Sequence, residues 1–165
     1  MNGTTSTPDH RPLVVAGTFL GVGLGGFLDG ILLHQLLQTH NMLSATVPKT
    51  SIPNMEINMF WDGVFHSLTW VMTLIGVVLF WKAGKRRESG WSGKVLAGAM
   101  FLGWGLFNFV EGVIDHYLLG IHHVAERLGL SAFDHAFLAS GVLFIACGWL
   151  AIRSARDARE RNPAA

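Results

Sequence analysis

The sequence predicts an all-α integral membrane four-helix bundle made of two repeated helical hairpins. Three observations predict it. Four stretches are predominantly apolar over about the 20 residues a helix needs to cross a bilayer. The 165-residue chain is 50% hydrophobic and only 14% charged, with a mean hydropathy of +0.40, whereas soluble domains carry about 25% charge. A segment of the first half also recurs, without a gap, in the second.

The first apolar stretch, residues 13–37, follows a polar start with no basic region ahead of a short apolar core. It therefore reads as a retained span and not as a cleaved signal peptide. Gly17, Gly21 and Gly25, with Gly26 and Gly30 beside them, give it a smooth face for close helix contact. Residues 60–81, 95–120 and 133–152 form the other three spans. A soluble bundle would need polar residues at helical spacing, and residues 71–81 and 137–152 contain almost none. Trp61, Trp81 and Trp91 near span ends fit interfacial anchoring. The spans make one membrane domain over residues 1–165, and the charged tail 154–165 is expected to extend the fourth helix as far as Pro163.

The charges set the orientation. Arg11, Lys82, Lys85, Arg86, Arg87, Lys94, Arg153, Arg156, Arg159 and Arg161 fall on one side of the expected membrane, and only Lys49 and Arg127 on the other. The positive-inside rule then makes both termini cytoplasmic in a bacterial inner membrane, with residues 38–59 and 121–132 facing outward. The lipid bilayer is the expected partner. A net charge of +1 offers no general attraction for nucleic acid. Cys147 is the single cysteine, so no disulfide forms within the chain.

Phe27 to His40 matches Phe109 to His122, pairing Asp29 with Glu111, Gly30 with Gly112, His34 with His116 and His40 with His122 at one offset of 82 residues. Each copy is followed by a span opening with an acid and a histidine, Asp62 and His66 in one case, Asp134 and His135 in the other. The repeat, residues 13–81 and 95–152, implies two hairpins running in the same direction about an axis along the membrane normal, as in parallel-repeat transporters. Such symmetry gathers the outer helix ends.

Seven of the eight histidines, all but His10, lie at those outer ends with Asp29, Asp62, Glu111, Asp115 and Asp134. An Asp at the centre of a span costs about 2.5 to 3.5 kcal/mol on insertion scales. The cations that might neutralise these acids sit on the opposite side. Neutral imidazoles with carboxylates suit zinc, copper, iron or manganese, so a transition-metal ion is the expected cofactor. The expected inner ligand set is Asp29, His34, Asp62, His66, Glu111, Asp115, His116 and His135. His40, His122, His123 and Asp134 are expected as outer ligands or as partners that orient the inner ones.

Spacing leaves alternatives open. Glu111 and Asp115, like Asp62 and His66, are one turn apart on one helix face. Asp29 lies below His40, and Glu111 below His122, if each helix continues that far. His34 and His40, like His116 and His122, project on different sides of a regular helix, and Gly120 can end the third helix before His122. Either two metal positions exist or the outer histidines fold back from loops. Asn41-Met42, Asn54-Met55 and Asn58-Met59 put three methionines in the connection 38–59. Thioethers suit Cu(I), although adaptable hydrophobes lying over the helix ends are the simpler reading. Residues 125–130 are expected to form a short interfacial turn.

The runs Gly26-Phe-Leu-Asp-Gly-Ile-Leu-Leu-His-Gln, Trp61-Asp-Gly-Val-Phe-His, Asn108-Phe-Val-Glu-Gly-Val-Ile-Asp-His and Phe133-Asp-His resemble a bacterial family of four-span membrane proteins catalogued as domain of unknown function 2243. The resemblance covers all four spans. It implies genes near those of respiratory oxidases and their assembly proteins, hence a role in copper or haem delivery with oxidase-assembly components as partners. It implies no catalytic residue.

Three functions follow as expectations. The first is metal binding in metal handling or oxidase assembly. The second is a metal-dependent enzyme, dinuclear and redox or hydrolytic, although the Glu-x-x-His spacing of carboxylate-bridged bundles is missing, as are a nucleophilic serine motif and a nucleotide loop. The third and weaker is a haem protein, with His34 and His116 as axial ligands, or a proton conductor. The cytoplasmic half lacks the polar residues a through-path would need.

Overall fold

The computed structural model describes residues 9–86 and 90–161, without the side chains of residues 159 and 160. The polar start 1–8, Arg87, the Arg159 side chain and Pro163, used in the reading above, lie outside the described residues. Helix α1 spans Arg11–Asp29 and passes into a π-helical segment, Gly30–Leu36; α2 is Ile52–Gly84; α3, Gly93–Glu111, passes into a second π segment, Gly112–Leu118. A 3-10 turn at Glu126–Leu128 precedes α4, Ala132–Arg161. Four helical stretches, Arg11–Leu36, Ile52–Gly84, Gly93–Leu118 and Ala132–Ala158, are long and apolar enough to cross a membrane.

Local signals fix the helix starts. A proline occupies the first turn of α1 and of α2, where its missing N–H is no loss. The Ser51 hydroxyl accepts the Asn54 N–H at 3.4 Å, and Ser92 accepts the Val95 N–H at 3.3 Å. Such caps satisfy donors that have no partner inside the helix. The Ser51 cap starts α2 well before residue 60, because its first turns are polar enough to escape a reading by hydropathy. Asn54, Met55, Asn58 and Met59 consequently ride on a helix, with Met55 and Met59 exposed.

The four helices form a row and not a square. Helices α1 and α3 make the central pair, α2 packs on α1 and α4 packs on α3. Among the described residues, the α2 backbone approaches neither α3 nor α4, although the Phe65 ring reaches Phe107 of α3, with centroids 6.0 Å apart. Glycine placement produces this order. A Cβ on Gly21 would collide with the Met100 carbonyl of α3, and one on Gly103 with the Thr18 carbonyl of α1. Another face of α1 carries Gly23 and Gly26 against Thr69 and Thr73 of α2, while Gly98 and Gly105 meet Gly148 and Gly141 of α4. Small residues of this kind let backbones touch where lipid supplies no hydrophobic drive between helices. The outer helices turn Leu68, Trp70, Leu143 and Trp149 outward, as a lipid-facing surface requires.

The remaining histidine works at the other end of the molecule. His10 is buried and its Nδ1–H donates to the Gly90 carbonyl at 2.8 Å, which ties the start of α1 to the α2–α3 connection.

Candidate metal centre

The site begins where the two central helices change their winding. The Leu37 N–H bonds the Leu32 carbonyl and the Leu119 N–H the Ile114 carbonyl, both at 2.8 Å. These bonds reach five residues back, so residues five apart come to one side, which α winding would not allow. His34 Nε2 accordingly lies 3.3 Å from Asp29 Oδ2, and His116 Nε2 lies 3.5 Å from Glu111 Oε1. The chain then reverses through a left-handed residue, Gln38 (φ 51°) in the first hairpin and Gly120 (φ 57°) in the second. Two residues later, His40 and His122 return over the helix ends. His122 Nε2 lies 3.0 Å from Glu111 Oε1.

Three of the four rings hydrogen-bond through Nδ1, and His116 sets its Nδ1 beside a carboxylate. His34 Nδ1–H donates to Asp62 Oδ1 at 2.9 Å, and His116 Nδ1 lies 3.1 Å from Asp134 Oδ1. The other two are held across the molecule. His40 Nδ1–H donates to the Val124 carbonyl at 3.2 Å and His122 Nδ1–H to the Met42 carbonyl at 3.0 Å. Carbonyls only accept, so both rings carry a proton on Nδ1; His40 Nε2 is left without a partner, whereas His122 Nε2 meets the Glu111 carboxylate. Burial pushes the His40 imidazole down to about 3, with His122 and His34 acting in the same sense. Burial also opposes the charged form of His122, but the Glu111 carboxylate outweighs it and raises that group above the ordinary histidine value.

Asp62 and Asp134 are themselves fixed. Asp62 accepts the Met42 N–H at 2.9 Å and the Asn41 amide. Asp134 accepts the Val124 N–H at 3.0 Å and both the N–H and hydroxyl of Ser131, at 2.9 and 3.0 Å. Phe65 stacks on His34, with centroids 5.5 Å apart, and Phe137 flanks His116 at 5.3 Å. The outer loops also bond each other. Ser44 Oγ donates to Glu126 Oε2 at 2.7 Å, and the Ala45 N–H to the Ile121 carbonyl at 3.0 Å. Asn58 anchors the first loop to α2, accepting the Leu43 N–H at 3.1 Å and donating to the Val47 carbonyl at 2.8 Å.

The result is two trios of donors, Asp29–His34–His40 and Glu111–His116–His122, each with its ligand atoms within 4.8 Å of one another. An ion bound at about 2.0–2.2 Å holds its donors at most about 4.4 Å apart, so both trios stand close to bonding distance. His34, His40, His116 and His122 are at most 2% exposed. Among the described residues, Nε2 of His34, His40 and His116, Asp29 Oδ2 and Glu111 Oε2 are buried without a hydrogen-bond partner, as are Nδ1 of His116 and His123. Buried polar atoms are rarely left so. The two trios are donor sets that could hold a cation.

The structure does not bring every expected residue into the trios. His66 donates its Nδ1–H to its own helix at the Asp62 carbonyl, 2.7 Å away, and its ring sits over Gly30. His135 is exposed, bonded to the Ser131 carbonyl at 2.7 Å and packed near Tyr117. Asp115 is half-buried and belongs to neither trio. For Asp115 the i, i+4 rule presumes α winding, and the π segment carries His116 instead to the side of Glu111. His123 stands behind the second trio, its Nδ1 3.5 Å from Asp134 Oδ1. Asp62 and Asp134 orient histidines and belong to neither trio. Reading Asp62-x-x-Phe65 beside Asp134-x-x-Phe137 would have revealed the second carboxylate and aromatic of each half. The carbonyls of Met42 and Val124 leave no sequence signal.

Fold and site together define a multi-pass membrane protein with histidines and carboxylates buried where its two central helices end. The chain belongs to the family described as predicted membrane protein (DUF2243), which it matches over residues 16–155. No curated protein and no solved structure matches it.

Proposed function

We propose that this protein binds transition-metal ions through Asp29, His34, His40, Glu111, His116 and His122, and that it serves metal handling or the assembly of respiratory oxidases. One observation carries the metal reading: four imidazoles face acceptors with Nδ1 and turn Nε2 toward two buried carboxylates. A carboxylate behind a histidine raises its basicity and fixes its orientation, as in many metal sites. The nitrogen and oxygen donors suit zinc, iron, manganese or Cu(II). The rings pack with centroids 4.4 to 5.9 Å apart around His34 and His122, which favours bare ions over a haem plane. The predominance of basic residues at the opposite end supports an inner-membrane orientation with both termini cytoplasmic and the centre on the outer side.

Three protein ligands per trio leave coordination positions open, as catalytic metal sites do. That feature favours a metal-dependent enzyme as the second reading. Elemental analysis and an optical spectrum of the detergent-purified protein test both. Bound metal without a haem band is expected, and its loss in a His34→Ala/His116→Ala double variant. A folded wild-type protein that takes up no metal overturns the reading.

A further inference from the structure

We infer that the centre holds two divalent ions side by side, one in each hairpin's trio, and not one ion shared by all six ligands. The inference rests on the metal-binding reading above and specifies the number and charge of the ions.

Ring orientation carries it. An imidazole nitrogen presents its lone pair in the plane of the ring, so a coordinated ion lies near that plane. The His40 and His122 rings are stacked, with centroids 4.7 Å apart and planes only 4° from parallel. Two stacked parallel planes share no point. No single ion can therefore lie in line with both lone pairs. Within each trio the reverse holds: the His34 and His40 planes cross at 68° and those of His116 and His122 at 75°. Each crossing pair defines a common direction, and each has its own carboxylate, Asp29 or Glu111.

Charge gives the same count independently. Asp29, Asp62, Glu111 and Asp134 are at most 7% exposed, and together they carry four negative charges when ionised. Among the described residues, no Lys or Arg side chain pairs with any of them. Two divalent ions with four neutral imidazoles make the assembly neutral. One divalent ion, or two Cu(I), would leave two negative charges for protons to neutralise, and an imidazole protonated at Nε2 is lost as a ligand. The absence of sulfur from either trio also points away from Cu(I).

The test titrates the full-length, detergent-solubilised apoprotein with Zn(II) and counts ions per chain by native mass spectrometry and elemental analysis. Two Zn(II) per wild-type chain are expected, one in His34→Ala, one in His116→Ala and none in the double variant. Saturation of the wild type at one ion overturns this inference and leaves the metal reading standing. Zero ions in folded wild type overturns the metal reading itself. A folded single variant that retains two ions or none overturns the assignment of one ion to each trio. Should the variants fail to fold by circular dichroism, Cu(II)-loaded wild type decides. A spin-coupled pair signal supports two neighbouring ions, and only isolated-ion spectra at saturation overturn them.

Discussion

His40 and His122 lie ring on ring at the centre of the molecule, and each is held by a backbone carbonyl from the other's loop, at Val124 and Met42. The contact joins residues 82 positions apart in the chain. It makes the two loops one clasp over the helix ends, so the donors of both trios are held in place without any ion. Preformed orientation of this kind lowers the ordering cost of binding.

The carboxylates behind the rings are the first place to disturb that order. Asp62→Asn removes the charge facing His34 Nδ1 but keeps the shape, and Asp134→Asn does the same for His116. Each is expected to weaken metal binding at its own trio about 10- to 100-fold while helicity is retained. Competition with a chelator of known affinity measures it; unchanged affinity would show that these acids serve only the loops.

Residues outside the trios should be silent toward metal. His66→Ala, Asp115→Asn and His135→Ala are expected to keep the wild-type metal content in elemental analysis. Loss of an ion in any of the three would mean that the ligand set is wider than the trios.

Gln38 adopts φ 51° where its counterpart Gly120 adopts φ 57°. The left-handed region costs a residue with a Cβ roughly 1–2 kcal/mol. Gln38→Gly should therefore stabilise the apoprotein by about 1 kcal/mol after the added flexibility of its unfolded chain is allowed for. Thermal unfolding in detergent is the check, and an unchanged or lower midpoint contradicts it.

The central helix pair depends on touching backbones. Gly21→Ala and Gly103→Ala each force α1 and α3 apart and are expected to cost about 1–3 kcal/mol, as overpacking does. Gly63→Ala meets nothing within 4 Å and serves as the control with no loss of packing. Equal melting of all three variants would remove the close approach as a source of stability.

Topology can be read directly. Single cysteines introduced at Thr50 and at Ala155 in a Cys147→Ala background should react oppositely with a membrane-impermeant thiol reagent applied to intact cells. Labelling at position 50 and protection at 155 is expected, and the converse pattern would invert the orientation.

Much of the fold was legible because long apolar runs have few alternatives in a lipid phase. The four spans and the glycine face of α1 needed nothing else. What hydropathy missed was the start of α2, where Ser51 and Pro53 begin a helix outside the apolar run, and the row order, which depends on which glycine meets which backbone. In the site, Asp29, His34, His40, Glu111, His116 and His122 were all visible as an internal repeat. Their grouping was not, since the π segments that bring residues five apart together carry no compositional mark. For the same reason Asp115 looked better placed on paper than it is, while His66 gives its Nδ1–H to its own helix at the Asp62 carbonyl.

The crossed carbonyls have a consequence for dividing the chain. A lone hairpin would own a histidine whose holding group belongs to its neighbour, and a neighbour whose histidine it holds in return. Two identical hairpins meeting side by side would satisfy that exchange completely. In this chain the second hairpin is supplied covalently, so parting the two would strip each histidine of the carbonyl that holds it, at Val124 or Met42.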